Sequence, residues 1–521
     1  MFLIAAGAYI TEDFISEIGK LPPAFLPIGN KRLFTCQVDS IRHSSDAIYL
    51  SVPEDYRISE ADRIYLQENN VTLIRVPLGL SLGQSIIYCW NATGEHFDSL
   101  RILHGDSLFS GLDYSLFDCL SIDTNEGFYR RAVPVPGASG RLVFHNEWVG
   151  NNQDVVSGYF SFSEPPMLMK GIIENGNDFI DGLSFYAQEK SLEPIRSQEW
   201  LDFGHINSFF RSRTAMTTQR AFNDMHITPK YVVKSSGNRK KIQGEANWYE
   251  SLPDNLKYYI PRLFGNNSDD EVASYKLEYL YLLPLSDLFV HGNLSGSAWN
   301  GILSSCQTVL GEFKLSLPEN SKVLPGMDEI YLGKTTRRLH EYFHGESAKP
   351  ADGTDEAYLL ELAGKSAGFI PSVRHDHLGI VHGDFCFSNI LYDNRLQCIR
   401  PIDPRGIDSA GNLSIVGDIR YDLAKLYHSM IGLFDLIMAD CYALDEDGSI
   451  RFHISEDQKQ AQEIFRTLFF ADHRELEIEI LAINVLLFLA MLPLHGDRPA
   501  AQQAMIANAI RLSGDLTALT R

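Results

Sequence analysis

The chain has 521 residues, which is too long for a single hydrophobic core and predicts two or three domains. Hydrophobic residues make up 45% and charged residues 21%, an ordinary composition for a folded globular protein. The formal net charge of −22 repels nucleic acid and anionic membranes, so neither is expected as a partner. A phosphate-bearing substrate would need local cations or metal ions to offset the repulsion from this negative charge.

The cysteines and the apolar segments indicate in which cellular compartment the protein is expected. Seven cysteines stand singly, none in a C-x-x-C pair, which is typical of reduced cytoplasmic thiols. The apolar residues 1–6 lack a basic flank, so no signal peptide is predicted. The longest apolar stretch, 483–494, is interrupted by Asn484 and is too short to span a bilayer. We therefore expect a cytoplasmic protein without membrane insertion and with a buried C-terminal helix; the oligomeric state stays open.

Apolar runs alternate with helix-like stretches through the first 110 residues. Strands are predicted at the start of the chain and at 47–52, 71–76, 86–90 and 100–109. This alternation favours an α/β domain, with a parallel sheet covered by helices. The chemistry of such sheets lies at the carboxyl ends of strands, and Asp106 is at such an end.

Short motifs follow one another in this half: IAAG at 4–7, PPAFLPIGNKRL at 22–33, LHGD at 103–106, VSGYF at 156–160 and EWLDFG at 199–204. Their order resembles the sugar-phosphate nucleotidyltransferases, which have a Rossmann-like fold of the glycosyltransferase-A type. The resemblance implies that Asp106 and Asp202 hold Mg²⁺ between a nucleotide's α-phosphate and the attacking phosphate of a metabolite. It also implies that Gly7 and Gln84 contact the nucleotide, which would be CTP or another NTP.

The N-terminal half departs from this family pattern in two places. Pro23 stands where the family has a lysine, and residues 7–11 lack the second glycine and the arginine of the family's phosphate loop. Lys20 or Lys31 could substitute for the missing cation. Two alternatives to nucleotidyl transfer stay open, a glycosyltransferase and a non-catalytic sensor or assembly domain.

The domain boundary is predicted shortly after the EWLDFG motif. A short helix is expected to end the first domain, and residues 214–223 form a polar connection without strong periodicity. The predicted domains are therefore 1–213 and 214–521.

The second domain begins with a possible cation and carboxylate pair. Lys234 lies in the β-rich segment 229–236, and Glu245 lies on a predicted helix over 241–249. Kinases hold a lysine on the nucleotide phosphates with such a glutamate, although no G-x-G-x-x-G precedes Lys234 here. The apolar run 277–285 is either the hinge strand that binds adenine or an ordinary buried strand.

The segment IVHGDFCFSNILYD at 380–393, followed by IDPRG at 402–406, has the spacing of a phosphoryl-transfer centre. Asp384 would orient or deprotonate an acceptor hydroxyl, while Asn389 and Asp403 would hold Mg²⁺. The alternative is an Asp- and Asn-rich turn between two strands. Cys386, inside this loop, is expected to pack as a small side chain rather than act as a nucleophile.

This loop resembles the aminoglycoside phosphotransferase and choline kinase superfamily, which has a protein-kinase-like α+β fold and phosphorylates small metabolites with ATP. The resemblance implies that Asp384 is the catalytic base, that Asn389 and Asp403 are magnesium ligands, and that His382 braces the loop. Asp422, at the start of a predicted helix, would tie down the catalytic loop or simply cap its helix.

The two resemblances together predict a bifunctional transferase with nucleotide and small-molecule substrates. One domain would phosphorylate a small hydroxyl compound with ATP, and the other would transfer a nucleotidyl group to the product. The resemblances place such steps in the synthesis of precursors for bacterial surface polysaccharides. The acidic surface suits a cationic or neutral acceptor, and Trp299, Tyr342 and Phe343 would either surround a quaternary ammonium or pack in the core.

Overall fold

A computed structural model describes residues 1–43, 46–137, 140–218, 224–268, 272–345, 350 and 353–521. The chain forms two compact units, one of residues 1–217 with 291–293, the other of residues 218–290 with 294–521. The first unit ends in a helix, Ile206–Thr218. The prediction that a polar connection begins at Thr214 is therefore wrong for residues 214–218, which continue this helix; residues 219–223 lie outside the described residues.

The strands of the first unit are β1 (Phe2–Ala5), β2 (Pro27–Ile28), β3 (Lys31–Arg32), β4 (Ile48–Pro53), β5 (Val71–Val76), β6 (Leu100–His104), β7 (Ser107–Ser110), β8 (Cys119–Thr124), β9 (Tyr129–Pro136), β10 (Leu142–Val149), β11 (Asp154–Phe162), β12 (Glu193–Ile195) and β13 (Glu199–Asp202). Its helices are α1 (Glu12–Ile18), α2 (Leu33–Ile41), α3 (Glu60–Glu68), α4 (Leu82–Ala92), α5 (Pro165–Glu174), α6 (Phe179–Glu189) and α7 (Ile206–Thr218), with a 3₁₀ turn at Pro23–Phe25.

The central sheet of this unit has the order β12-β8-β11-β6-β1-β4-β5. Strands β6, β1, β4 and β5 are parallel, whereas β11 runs antiparallel to β6 and β8, so the sheet is mixed. One buried cluster joins Leu3, Ile102 and Phe160 of the sheet to Ile86 and Leu183 of helices α4 and α6. The α/β character is as predicted, and the antiparallel strand is an addition that the motifs did not indicate.

The strand predicted at 86–90 is wrong, because these residues lie in helix α4. Ser81 begins this helix with a capping box: its hydroxyl accepts from the Gln84 backbone N–H, and the Gln84 side chain accepts from the Ser81 N–H. The reciprocal pair satisfies two N–H groups that otherwise lack partners at a helix start. A short apolar run is compatible with both structures, and here the cap favours the helix.

The strands of the second unit are β14 (Asp224–Ile227), β15 (Tyr231–Ser236), β16 (Leu263–Ser268), β17 (Ala273–Glu278), β18 (Leu283–Pro284), β19 (Leu378–Ile380), β20 (Ile390–Asp393), β21 (Cys398–Pro401), β22 (Val416–Asp418), β23 (Tyr442–Leu444) and β24 (Ile450–Phe452). Its helices are α8 (Arg239–Ser251), α9 (Leu285–His291), α10 (Gly296–Leu315), α11 (Leu332–His344), α12 (Glu356–Ala367), α13 (Ile419–Met430), α14 (Phe434–Met438), α15 (Glu456–Phe470), α16 (Arg474–Met491) and α17 (Pro499–Leu519). Shorter 3₁₀ turns lie at Lys257–Tyr259, Met327–Ile330, His375–His377, Phe387–Asn389 and Leu492–His495.

The second unit is an α+β structure. An antiparallel sheet of order β14-β15-β17-β16 packs against α8, and two small sheets, β18-β20-β21 and β19-β22, enclose the segment 381–389. Both sequence interpretations of the run 277–285 assumed a single strand, and this is wrong. The run is divided between the end of β17, a partly exposed connection, β18 and the first residue of α9. The remaining helices form a large helical part in which α13 packs against α16.

One helix of the described residues, Arg474–His495, is long and apolar enough to cross a membrane, and 67% of its most apolar window is buried within the protein. The fully buried Asn484 of α16 donates to the Ala424 carbonyl at 2.9 Å and lies 3.3 Å from the His428 ring. The predicted buried C-terminal helix is confirmed. Asn484, which interrupts its apolar pattern, bonds this helix to α13.

Candidate active sites

Asp384 lies in the segment between β19 and β20, with its side chain 42% exposed. The Asn389 amide donates to both the backbone carbonyl and the carboxylate of Asp384, at 3.0 and 2.9 Å. Lys425, on helix α13, places its ammonium 2.8 Å from the other carboxylate oxygen. The sequence analysis missed Lys425, because it lies 41 positions beyond Asp384 and belongs to no motif of that loop.

Asp422 of α13 holds the backbone of the segment 381–389. Its two carboxylate oxygens accept the backbone N–H groups of His382 and Gly383, at 2.6 and 2.8 Å. The contact predicted for Asp422 is therefore present. Asp422 does not cap helix α13. The cap of that helix is Asp418, whose side chain accepts the Arg420 backbone N–H. Gly383 has a φ of +80°, which favours glycine at this turn.

Burial and charge move three pKa values in this loop. Burial alone would raise the pKa of Asp384, but the Lys425 ammonium outweighs it and lowers that pKa to about 2. Burial raises the pKa of Asp422 to about 7, against the opposing effect of its two backbone hydrogen bonds. Burial also lowers the pKa of His382 to about 4, where the ring packs edge-on against Trp248 and Phe385. His382 is thus neutral at pH 7, and its Nδ1 accepts the Asp384 backbone N–H at 3.3 Å, a hydrogen bond within the loop.

A second polar cluster centres on Lys234 of β15. Its ammonium lies 2.9 Å from Glu245 on α8 and 3.2 Å from Asp403. Tyr275 of β17 donates to the same Glu245 carboxylate at 2.7 Å. Lys234 and Glu245 are buried, whereas the Asp403 side chain is 45% exposed and its φ is +56°. The lysine and glutamate pair predicted from sequence is formed, and Asp403 joins it.

Asn389 and Asp403 lie on neighbouring backbone segments, since the Ile402 N–H donates to the Asn389 carbonyl at 2.8 Å. Their amide and carboxylate oxygens are ligands that suit Mg²⁺. Within the described ranges, no group of three or more His, Cys, Asp or Glu residues could hold a metal. Two protein ligands nevertheless fit Mg²⁺, because this ion usually keeps waters and takes phosphate oxygens as further ligands. Cys386 is buried, and burial raises its thiol pKa to about 12, which makes it a packing residue.

In the first unit, strand pairing brings Asp106 and Asp202 together. Strand β13 pairs with β7 so that Asp202 is opposite Ser107, and the Phe203 N–H donates to the Asp106 carbonyl at 2.8 Å. A Cβ added at Gly204 would lie 2.6 Å from an Asp106 carboxylate oxygen and 3.2 Å from one of Asp202. Both carboxylates thus border the space that Gly204 leaves open. Their oxygens suit Mg²⁺ in type.

Asp202 already has a cationic partner. Arg131 of β9 forms an ion pair with its carboxylate, and the His205 ring lies 3.7 Å from the same oxygen. Burial alone would raise the pKa of Asp202, but His205 and Arg131 together lower it to about 2. Tyr129 stacks on His205 at 3.9 Å between ring centroids. Two further side chains at this carboxylate, Arg131 and His205, belong to no predicted motif. Arg131 lies 71 positions before Asp202, and only the folded chain brings the two together. His205 follows Asp202 by three positions, directly after the EWLDFG motif, and that spacing is a signal that could have indicated it.

A cavity of about 300 Å³ lies beside this carboxylate pair. His104, Asp106 and Arg131 line it, together with the starts of α4 and α6. The buried His104 Nε2 has no hydrogen-bond partner among the residues that the structure describes. Gly7 and Gln84 do not line this cavity. A Cβ at Gly7 would lie 2.9 Å from Ser85 Oγ, so glycine allows the loop after β1 to approach α4.

Tyr9, in the loop at 7–11, contacts one acidic and one basic residue. Tyr9 donates to Asp55 at 2.6 Å, and Lys20 lies 3.5 Å from the same carboxylate and over the Tyr9 ring. Helix α1 then opens with Glu12 and Asp13. Lys20, one of the two candidates for the missing cation, is thus already paired.

No protein-family model matches the chain, and no curated protein sequence matches it. Solved structures do match. A protein assigned as a glucose-1-phosphate thymidylyltransferase from Bacillus anthracis, in complex with sucrose, is 15% identical over 42% of this chain and 96% of its own, with a TM-score of 0.33. An aminoglycoside phosphotransferase from Streptomyces rimosus, in complex with ADP and streptomycin, is 15% identical over 52% of this chain and 97% of its own, also with a TM-score of 0.33.

HddC from Yersinia pseudotuberculosis, complexed with GMP-PN, is 14% identical over 41% of this chain and 98% of its own, with a TM-score of 0.30. The neighbours therefore include a nucleotidyltransferase and aminoglycoside phosphotransferases, the two groups that the motifs of the two halves resemble.

Proposed function

We propose that the chain is a bifunctional transferase of the cytoplasm. The second unit would phosphorylate a hydroxyl group of a small metabolite with ATP, and the first would transfer a nucleotidyl group from CTP or another NTP to the phosphorylated product. The observation that carries the proposal is that the second unit contains two polar clusters. In one, Lys234 forms ion pairs with Glu245 and Asp403. In the other, Asp384 contacts Asn389 and Lys425. These are the groups that phosphoryl transfer requires. Steps of this kind would supply activated precursors for bacterial surface polysaccharides.

Asp384 acts on the acceptor in this mechanism. With a pKa of about 2 it is a weak base at pH 7, so it orients the hydroxyl and takes its proton only as the new O–P bond forms. The bond from the γ-phosphorus to the bridging oxygen breaks, and ADP leaves with that electron pair. Lys234 would hold the nucleotide phosphates, positioned by Glu245. Mg²⁺ held by Asn389 and Asp403 would neutralise charge on the β- and γ-phosphates.

In the first unit, a phosphate of the product would attack the α-phosphorus of the NTP. A new P–O bond forms, the bond between the α-phosphorus and the leaving oxygen breaks, and pyrophosphate departs. Arg131 and the neighbouring cavity would orient anionic groups, and the orphan His104 Nε2 is available as a polar contact. Mg²⁺ at Asp106 and Asp202 would offset the repulsion between two anions.

Substitution tests the kinase assignment. Asp384→Asn should lower kcat about 10²- to 10⁴-fold, the usual contribution of a positioned acid or base. Asp403→Ala should remove Mg²⁺-dependent ATP binding, measured by calorimetry. The control is Asp447→Asn, which alters an exposed turn residue and should keep wild-type values. Wild-type ATP turnover in both site variants would show that the site is elsewhere.

Pyrophosphate release tests the nucleotidyl step. The full chain is supplied with a phosphorylated acceptor and, in turn, CTP, UTP, GTP and ATP. One nucleotide should yield pyrophosphate, and Asp202→Asn should abolish the release. The missing second glycine and arginine in residues 7–11 favour a second candidate, a kinase with a non-catalytic first unit, for which no nucleotide gives pyrophosphate. Consumption of a nucleotide-sugar would indicate a glycosyltransferase instead.

A further inference from the structure

We propose that the acceptor of the kinase is itself an anion, a hydroxyl compound whose carboxylate or phosphate is held by Lys334 and Arg405. The proposal rests on the kinase function proposed above and names its substrate class. It reverses the expectation, drawn from net charge, of a cationic or neutral acceptor.

Three cations surround the buried hydroxyl of Tyr421 on α13. Lys334, from α11, donates to that hydroxyl at 2.8 Å. Lys425 and Arg405 lie close enough that their charges, with that of Lys334, lower the pKa of Tyr421 although burial alone would raise it. Lys425 is paired with Asp384. Within the described part of the chain, neither Lys334 nor Arg405 forms an ion pair with a carboxylate.

Arg405 is directly attached to the catalytic loop. Its N–H donates to the His382 carbonyl at 2.8 Å, and a Cβ added at Gly383 would lie 2.7 Å from the Arg405 Cβ. The charge of Lys334 also contributes to the low pKa of Asp384. Both cations line one cavity of about 320 Å³, which is large enough for a small metabolite. A compound in this cavity would have its anionic group beside Lys334 and Arg405. Arg405 joins the cavity to the loop that carries Asp384, and we place the acceptor hydroxyl on that side of the compound.

The cationic residues that line the cavity differ in whether they have an ion-pair partner. Arg337 lies 3.4 Å from Glu329, and Arg338 lies 2.8 Å from Glu341, so these two arginines are already neutralised. Among the residues that the structure describes, Lys334 and Arg405 have no carboxylate within ion-pair distance. Two uncompensated cations in a chain of net charge −22 mark a local site for an anion.

The three aromatic residues predicted as a possible cation site, Trp299, Tyr342 and Phe343, do not line this cavity, and Phe343 is half-buried. Trp299 and Tyr342 are each 2% exposed, and Trp299 stacks on the buried Phe387 at the base of the catalytic loop. Both residues pack in the core. A quaternary ammonium in this cavity would therefore be surrounded by cations and not by an aromatic cage.

Calorimetry of the full chain with saturating ADP and Mg²⁺ tests the proposal, because the nucleotide then occupies its own site. The probes share one ring: glucose, glucosamine, glucuronate and glucose 6-phosphate. At least one anionic probe should bind about tenfold or more tightly than glucose and glucosamine. Comparing glucuronate with glucose 6-phosphate distinguishes a carboxylate site from a phosphate site.

Lys334→Ala and Arg405→Ala should each weaken binding of the anionic probe about ten- to a hundredfold, the effect of one lost charged hydrogen bond. Lys334→Arg should largely restore it, and Arg337→Ala should have a smaller effect because Arg337 is already paired. Lys322→Ala, an exposed residue outside the cavity, is the matched control. The proposal is overturned if no anion binds preferentially, or if anion binding survives loss of both cations. Anion binding without any ATP-dependent phosphorylation would instead contradict the kinase function.

Discussion

Lys425 keeps the Asp384 carboxylate ionised. Its buried ammonium is the main cause that keeps the pKa of Asp384 at about 2, against a burial effect of opposite sign. Asp384 is therefore ionised at every physiological pH, and it can accept a hydrogen bond from an acceptor hydroxyl at all times. The charge pair has a measurable consequence for the pH dependence of the reaction.

Lys425→Met should raise the pKa of Asp384, because burial then acts without the opposing cation. The acid limb of the kcat/KM profile for phosphorylation should move to higher pH by one unit or more, in addition to a lower plateau. Lys425→Arg keeps the charge and should keep the limb near its original position. An unmoved limb in Lys425→Met would mean that this lysine acts only in packing.

Asp422 and His382 should influence stability with opposite signs. The folded pKa of Asp422, about 7, lies above its unfolded value of about 3.9, so its contribution to stability falls as the pH rises through that window. The folded pKa of His382, about 4, lies below its unfolded value of about 6.5, so its contribution is lost as the pH falls from 6.5 to 4.

Asp422→Asn should therefore make the loss of stability on acidification from pH 6.5 to 4 steeper than in the wild type. Denaturant unfolding at a series of pH values measures the slope. His382→Asn should change the slope in the other direction. Equal slopes in the wild type and Asp422→Asn would contradict the raised pKa of Asp422.

At the scale of elements, helix α8 is positioned against the segment that follows Asp403. Gly406 has a φ of +63°, and a Cβ added there would overlap the Gly244 carbonyl of α8. A Cβ at Gly244 would in turn lie 2.7 Å from the Ile407 side chain. Because α8 carries Glu245, this glycine contact fixes the distance between the glutamate and Lys234.

Gly406→Ala should displace α8, separate Glu245 from Lys234 and weaken ATP binding about tenfold or more, measured by calorimetry. The matched control is Gly364→Ala, in helix α12, where a Cβ meets open space. It should leave ATP binding unchanged and stabilise the protein by about 0.5–1 kcal/mol, the helix preference for alanine. Equal ATP affinity in the two variants would show that the contact does not position Glu245.

The whole molecule contains two compact units, each with its own buried core. A ligand stabilises only the unit that binds it, by about 2.7 kcal/mol at a hundredfold excess over Kd. Calorimetric unfolding of the full chain should then show two transitions, with ATP and Mg²⁺ raising the Tm of one. Asp403→Ala should abolish that shift, and Asp202→Asn should leave it unchanged. A single transition that moves as a whole would contradict independent units.

Several features could be predicted from local signals in the sequence. The spacing from His382 to Asn389, the strand containing Lys234 and the helix containing Glu245 follow from short patterns, because backbone periodicity and turn chemistry act over a few residues. The α/β character of the first half followed from the alternation of apolar runs with helix-like stretches. The prediction of a strand at 86–90 was wrong because a five-residue apolar run is compatible with both a helix and a strand. The capping box at Ser81 favours the helix.

Contacts between side chains that are distant in sequence could not be predicted and are seen only in the folded chain. Lys425 reaches Asp384 from another element, Arg131 pairs with Asp202 across 71 positions, and Lys334 joins Tyr421 across 87. Such contacts depend on strand register and helix packing, which no local pattern encodes. The uncompensated charge of Lys334 and Arg405 is equally invisible in a net charge of −22, because electrostatic fields depend on where charges lie and not on their sum.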